Sequence, residues 1–256
     1  MTTVYTVNNK VLKNSANDKW LIKKAVDPYN PLGLPPNTVR VRTSDGNVPT
    51  KDQFTTYETA TLVSGTSDVY DVYRSGTTFR SLLYYSSNVS EVLGANTTGI
   101  TEMVNMFWGI SASSVPLFDT SSVTDMSSMF RASSVTTVSL FVTSNVTNMS
   151  DMFSGSLITT VPLFDTSSVT DMSCMFQGCN NLTSIPLFST SSATTMSAMF
   201  YDCKSVQSGA LALYQQASSQ TTVPTHASTF YNCGSNTTTG AAELAQIPSS
   251  WGGTGA

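Results

Sequence analysis

The sequence predicts an α/β solenoid: a stack of units, each a short strand followed by a short helix, preceded by a small β-rich N-terminal module. Two observations predict the stack. A Met-x-x-Met-Phe block recurs five times, ending at Phe107, Phe130, Phe153, Phe176 and Phe200, so that copies lie 23 or 24 residues apart. Ten of the eleven methionines sit in those blocks, which gives them packing as their first role. In addition, an apolar trio lies upstream of successive blocks: Val135/Val138/Leu140, Ile158/Val161/Leu163 and Leu182/Ile185/Leu187. Ala112/Val115/Leu117 is a weaker copy, and Val89/Val92 with Gly94 a degenerate one.

Taken in chain order, residues 1 to 50 read as a β-rich attachment module. Val4 to Lys13 suggests a hairpin with an Asn8-Asn9 turn, and Trp20 to Lys24 a further strand. Pro-rich Asp27 to Pro36 leads into a strand at Thr38 to Arg42, closed by a turn at Ser44 to Asn47. Residues 51 to 88 form a connecting segment or N-terminal cap, 89 to 205 the solenoid, and 206 to 256 a C-terminal cap with a helix from Gly209 to Ala217. Within the solenoid, Val123, Met126, Met129 and Phe130 follow the spacing of one helical face. Thr124-Asp125 and Thr170-Asp171 suit the start of such a helix. The predicted core is Met126, Met129, Phe130, Met149, Met152, Phe153, Met172, Met175 and Phe176. One unit cannot bury its apolar face alone, but stacked copies share a continuous core.

The run from Cys179 through Leu182, Ile185, Leu187, Met196, Met199 and Phe200 to Cys203 resembles the BspA-like leucine-rich repeats of bacterial surface proteins. The likeness covers roughly residues 89 to 205, with a frayed copy ending in Phe230-Tyr231-Asn232-Cys233. It implies a curved solenoid used for adhesion or recognition and offers no catalytic residues to transfer. The opening of the chain also looks like those of phage-encoded proteins that bear such repeats.

Composition narrows the partners. Residues 1 to 88 hold ten of the twelve Lys and Arg against seven acids, a balance of +3, whereas 89 to 256 hold two against nine, a balance of −7. A balance of +3 without a basic run interleaved with aromatics argues against nucleic acid. The N-terminus has no basic start followed by an apolar stretch, and no run reaches the roughly 20 apolar residues that span a bilayer. The expectation is therefore a non-enzymatic protein of a phage virion surface, reached by assembly rather than by export. Its N-terminal module would hold other virion proteins, and its solenoid would meet a host protein or glycan. Homo-oligomers are compatible with this. The alternative is a bacterial cell-surface adhesin whose export signal is not in this sequence.

Catalytic chemistry is not indicated. His226 stands alone with no acid in the ten residues before it, no Gly-x-Ser-x-Gly elbow or phosphate loop occurs, and no carboxylates form an evident acid/base pair. No cofactor is called for. Cys174/Cys179 do not fit zinc spacing, and Cys179, Cys203 and Cys233 read as buried thiols or, for the first two, a disulfide. Asp119 and Asp165 match in position, but Val142 and Ser189 interrupt any calcium ladder.

Recognition falls to the strand face. Thr137, Thr160 and Ser184 point away from the core in this geometry, and Phe118, Phe141, Phe164 and Phe188 form a ladder just beyond. Outward, those rings make an apolar stripe flanked by hydroxyls; inward, they stack inside the solenoid.

Overall fold

Four short segments near one end of the molecule pair into an antiparallel sheet in the order β2-β3-β1-β4, formed by β1 (Thr38–Thr43), β2 (Thr59–Leu62), β3 (Val69–Tyr73) and β4 (Val89–Asn96). The computed structural model describes residues 27–256, so the hairpin expected at 4 to 13 and the strand expected at 20 to 24 lie outside the described residues. Strand β1 shows the alternation that its sequence dictates. Val39 and Val41 are buried, and Arg40 reaches across to its register partner Asp71 through two bonds of 2.6 and 2.7 Å. Arg42 bonds Asp68 at 2.9 Å and Glu91 at 3.0 Å. Two of the ten Lys and Arg of residues 1 to 88 are thus paired within the sheet. Strand β1 pairs with both β3 and β4, so hydrogen bonds join segments that the sequence reading places in three successive units.

Beyond the sheet, matching positions of successive repeats lie side by side. Thr78, Glu102, Asp125, Asn148, Asp171, Thr195 and Thr225 form an unbroken chain of parallel backbone bridges. The first repeat was invisible to the methionine pattern, because Phe79, Leu82 and Leu83 take the places of Met, Met and Phe; all three are fully buried.

The strand-plus-helix solenoid is overturned. The Met blocks are successions of turns. In the first block the N–H groups of Met106, Trp108 and Ile110 donate to carbonyls three residues back, at 3.2, 3.2 and 3.4 Å. Those of Met103, Asn105, Phe107 and Gly109 instead donate to Asp125, Ser127, Met129 and Arg131 of the next repeat, at 2.9 to 3.0 Å. An α-helix would send every such bond four residues back within the segment. It is also blocked by φ values near +55° at Asn105, Ser128, Asp151, Cys174 and Ala198. That is the left-handed region, which the third position of a type II turn requires. The strands fare no better: β5 (Ser114–Val115) pairs with β6 (Thr137–Val138), two residues each, and later repeats show only single bridges. Helices α1 (Ala210–Ser218) and α2 (Thr238–Leu244) lie after the last Met block.

Asp125 and Asp171, expected to cap helices, cap turns instead, as does Asn148 at the matching position between them. Asp125, Asn148 and Asp171 accept the N–H two residues on, at 2.8, 2.9 and 2.8 Å. Hydroxyls, alongside the ion pairs Arg80–Glu102 and Arg131–Asp151, tie the repeats together. Buried Thr120, Thr143 and Thr166 donate to carbonyls of Val142, Asp165 and Ser189 in the next repeat, at 2.8 to 2.9 Å.

The core residues lie where the sequence put them. All nine predicted Met and Phe side chains are fully buried. Phe107, Phe130, Phe153, Phe176, Phe200 and Phe230 stack in one column, with centroids 5.2 to 5.9 Å apart and planes within 14° of parallel. Trp251, in a final turn Ser249–Trp251, covers the end of that column, and the Phe230 N–H donates to its carbonyl at 2.8 Å. Helix α1 begins one residue later than its sequence suggests. Its start is capped from outside: the Glu243 carboxylate of α2 accepts from the Gly209 and Leu211 N–H groups at 3.3 and 3.1 Å. Gly209 is required there, since φ is +100° and a Cβ would sit 2.2 Å from the Ile185 carbonyl oxygen.

Candidate functional site: the exposed leucine row

The face proposed for recognition divides in two. Thr137, Thr160 and Ser184 are exposed, as the sequence suggests. Phe118, Phe141, Phe164 and Phe188 are not: all are at most 2% exposed and pack on the main aromatic column, with Phe153 to Phe164 at 6.4 Å and Phe176 to Phe188 at 5.9 Å. As a ligand face, this set is corrected. What emerges is the preceding residue of each pair. Leu140 is 60% exposed, Leu163 60% and Leu187 53%, although each closes an apolar trio in the sequence.

The local backbone explains the inversion. The Phe164 N–H donates to the Pro162 carbonyl at 3.0 Å, and that of Phe188 to Pro186 at 2.9 Å. These three-residue turns are centred on Leu163 and Leu187, so strand alternation breaks there, the leucine is turned out and the phenylalanine turned in. Burying the larger ring against existing rings is the more favourable choice.

The resulting row runs across three consecutive repeats beside a shallow groove of 360 Å³ lined by Leu163, Phe164, Asp165, Thr166, Leu187 and Ser189. A second groove of 490 Å³ continues to Gln216, Ser219 and Gln220 around α1. There Gln216 donates to the Phe188 carbonyl at 2.7 Å, which fixes the helix against the end of the face.

Chemically, this surface is quiet. Asp165 is held below the usual carboxylate range by the Ser167 hydroxyl at 2.6 Å and the Ser167 N–H at 3.1 Å. It is therefore a fixed acceptor, and no acid/base partner stands beside it in the groove. His226 stacks on Trp251 at 4.0 Å, with Nδ1 2.8 Å from the Pro224 carbonyl, far from a nucleophile's geometry. The four cysteines are free thiols. Cys179 and Cys203 donate to the Phe153 and Phe176 carbonyls at 3.0 and 2.9 Å, and burial pushes the Cys179 thiol up to about 12. Among the described residues no three His, Cys, Asp or Glu side chains are grouped to hold a metal ion, and no helix is long and apolar enough to cross a membrane.

Fold and face together define a repeat protein with an aromatic core, a hydroxyl-rich exterior and one apolar row. The family described as "Mycoplasma protein of unknown function, DUF285" matches residues 76–159 and again 132–237. The chain belongs to that family, a repeat family related to BspA-like surface repeat proteins. The first match begins at residue 76, three residues before Phe79 of the first repeat. No curated protein and no solved structure matches the chain.

Proposed function

We propose that this chain is a non-enzymatic surface protein of a phage virion. In this reading residues 76 to 237 display a recognition face, and the N-terminal part holds other virion proteins. The observation that carries the recognition role is the row Leu140, Leu163 and Leu187, three large apolar side chains more than half exposed on consecutive repeats. Such a contiguous apolar feature, rimmed by Thr160, Ser184 and Ser189, suits a partner protein better than open water. The contrast in charge between the two parts of the chain supports a division between attachment and display.

Separating lysate by density gradient and probing with antibody against residues 76 to 237 tests the location. Co-sedimentation with intact particles supports the virion reading. Recovery in the cell-envelope fraction favours the second reading, a bacterial cell-surface adhesin, which the likeness of the Cys179 to Cys203 run to bacterial surface repeats suggests. Recovery only in the soluble fraction would contradict both.

A further inference from the structure

We propose that the turn face of the repeats binds a neutral linear oligosaccharide, laid along the line between two aromatic platforms. This site is separate from the leucine row and does not depend on what that row binds.

The residue after each column position forms a line of its own: Tyr84, Trp108, Arg131, Ser154, Gln177, Tyr201 and Tyr231. Its two ends are aromatic. At the first, Tyr84 lies 5.1 Å from Trp108 and 5.0 Å from Tyr85, and Phe54 closes in at 5.5 Å from the loop before β2. Phe54 and Tyr85 are exposed, whereas every ring of the main column is buried. Tyr85 lies over Gly109, where a Cβ would come within 2.8 Å of the ring. The Arg131 guanidinium sits 4.7 Å above the Trp108 ring and is held by Asp151 at 2.5 Å. Trp108 Nε1 is buried beneath this platform with no hydrogen-bond partner among the described residues. At the other end, Tyr201 and Tyr231 stack at 4.8 Å, Tyr231 is exposed, and Asn232 donates to Asp202 at 2.8 Å beside them.

Between the platforms the position after the line carries only small residues, Ala132, Gly155 and Gly178. Gly155 and Gly178 occupy left-handed turn positions, and a Cβ on either would meet nothing nearer than 3.9 Å, so the space above that backbone is open.

The chemistry of this arrangement is that of a sugar site. A pyranose ring offers a C–H face that stacks on an aromatic ring and equatorial hydroxyls that need planar donors and acceptors. Arg131 with Asp151, Gln177, and Asn232 with Asp202 supply those groups along one line. Linearity follows from the spacing: Trp108 and Tyr201 are four repeats apart, about 19 Å at roughly 4.8 Å per hydrogen-bonded step, a span for about four rings. Neutrality follows from charge pairing along the line: Arg131 is held by Asp151, and Lys204 lies 3.8 Å from Asp202, so neither cation is left unpaired to hold an acidic chain.

The test titrates the full chain with N-acetylchitotetraose, cellotetraose and mannotetraose, with tetragalacturonate as the charged comparison, by calorimetry and intrinsic fluorescence. Saturable binding of at least one neutral probe with a Kd of about 1 mM or tighter, weakened about tenfold or more in Tyr85→Ala and Tyr231→Ala, is the expected result. Circular dichroism checks that both variants remain folded, and Val223→Ser, at an exposed position outside both faces, serves as a folded control with unchanged affinity. No saturable binding of any neutral probe at about 10 mM would overturn the proposal. Tighter binding of tetragalacturonate, or full affinity in both tyrosine variants, would overturn it too.

Discussion

Replacing Leu163 and Phe164 separately by alanine tests the inverted face directly, because the two neighbours are assigned opposite environments. Phe164 is 2% exposed and packs against Phe153 at 6.4 Å; its loss removes a buried ring from a stacked core and leaves a cavity. Such truncations cost about 3 to 5 kcal/mol. At about 2 to 4 °C per kcal/mol for a chain of this size, Phe164→Ala lowers Tm by about 6 to 20 °C. Leu163 is 60% exposed and keeps less than half of its surface in contact with protein, so Leu163→Ala costs about 1 kcal/mol or less. Urea unfolding followed by far-UV circular dichroism, with matched thermal scans, reads both. A larger loss in Leu163→Ala than in Phe164→Ala would refute the assignment and restore the leucine to the core. Equal losses would remove the exposed row on which recognition rests.

The turn architecture makes a prediction of opposite sign to a helix. Ala198 sits at φ +56°, so Ala198→Gly relieves a left-handed alanine and leaves stability unchanged or raised by about 1 kcal/mol. A loss of about 1 kcal/mol in the same urea assay would instead point to a helix. Met172→Ala, in a central repeat, costs about 2 to 5 kcal/mol through the cavity it leaves, and unchanged thermal stability would contradict the buried ladder. Burial raises the thiols of Cys179, Cys203 and Cys233 above the ordinary value of 9.0, so folding favours their neutral forms. That stabilisation is complete below pH 9 and is lost as pH rises, for Cys179 through about 12. Stability should therefore fall from about pH 9 upward, and these three thiols should resist a disulfide reagent at pH 8 until urea is added. Rapid labelling of the folded protein at all three would contradict the packing. Glu243→Gln weakens the external cap on α1 and costs about 0.5 to 2 kcal/mol, measured by loss of helical signal on mild heating.

The sequence made the core legible because a regularly spaced Met or large ring has few places to go but inside. Met126, Phe130, Met149 and their counterparts are buried whether the backbone between them is a helix or a chain of turns. For the same reason it misled about the backbone, since spacings of three and four residues put side chains on one side in both. The distinguishing signal is partial. Gly109, Gly155 and Gly178 mark one left-handed position, but the other is filled by Asn105, Ser128, Asp151, Cys174 and Ala198, only some of which favour it. Leu163 and Phe164 exchanged places because a turn after Pro162 breaks strand alternation, and periodicity alone does not register that break. The first repeat escaped notice because Phe79, Leu82 and Leu83 replace its methionines. The aromatic platform at Tyr84 and Trp108 comes from two repeats and a distant loop, a convergence visible only in three dimensions.

A cryo-EM reconstruction of native particles, with this chain traced in the map, tests the display role most directly. Residues 1 to 50 are expected against other particle proteins and the repeats projecting outward, with Leu140, Leu163 and Leu187 uncovered before host contact. A map in which that row is packed against a neighbouring subunit, or in which the repeats face the particle interior, would contradict it.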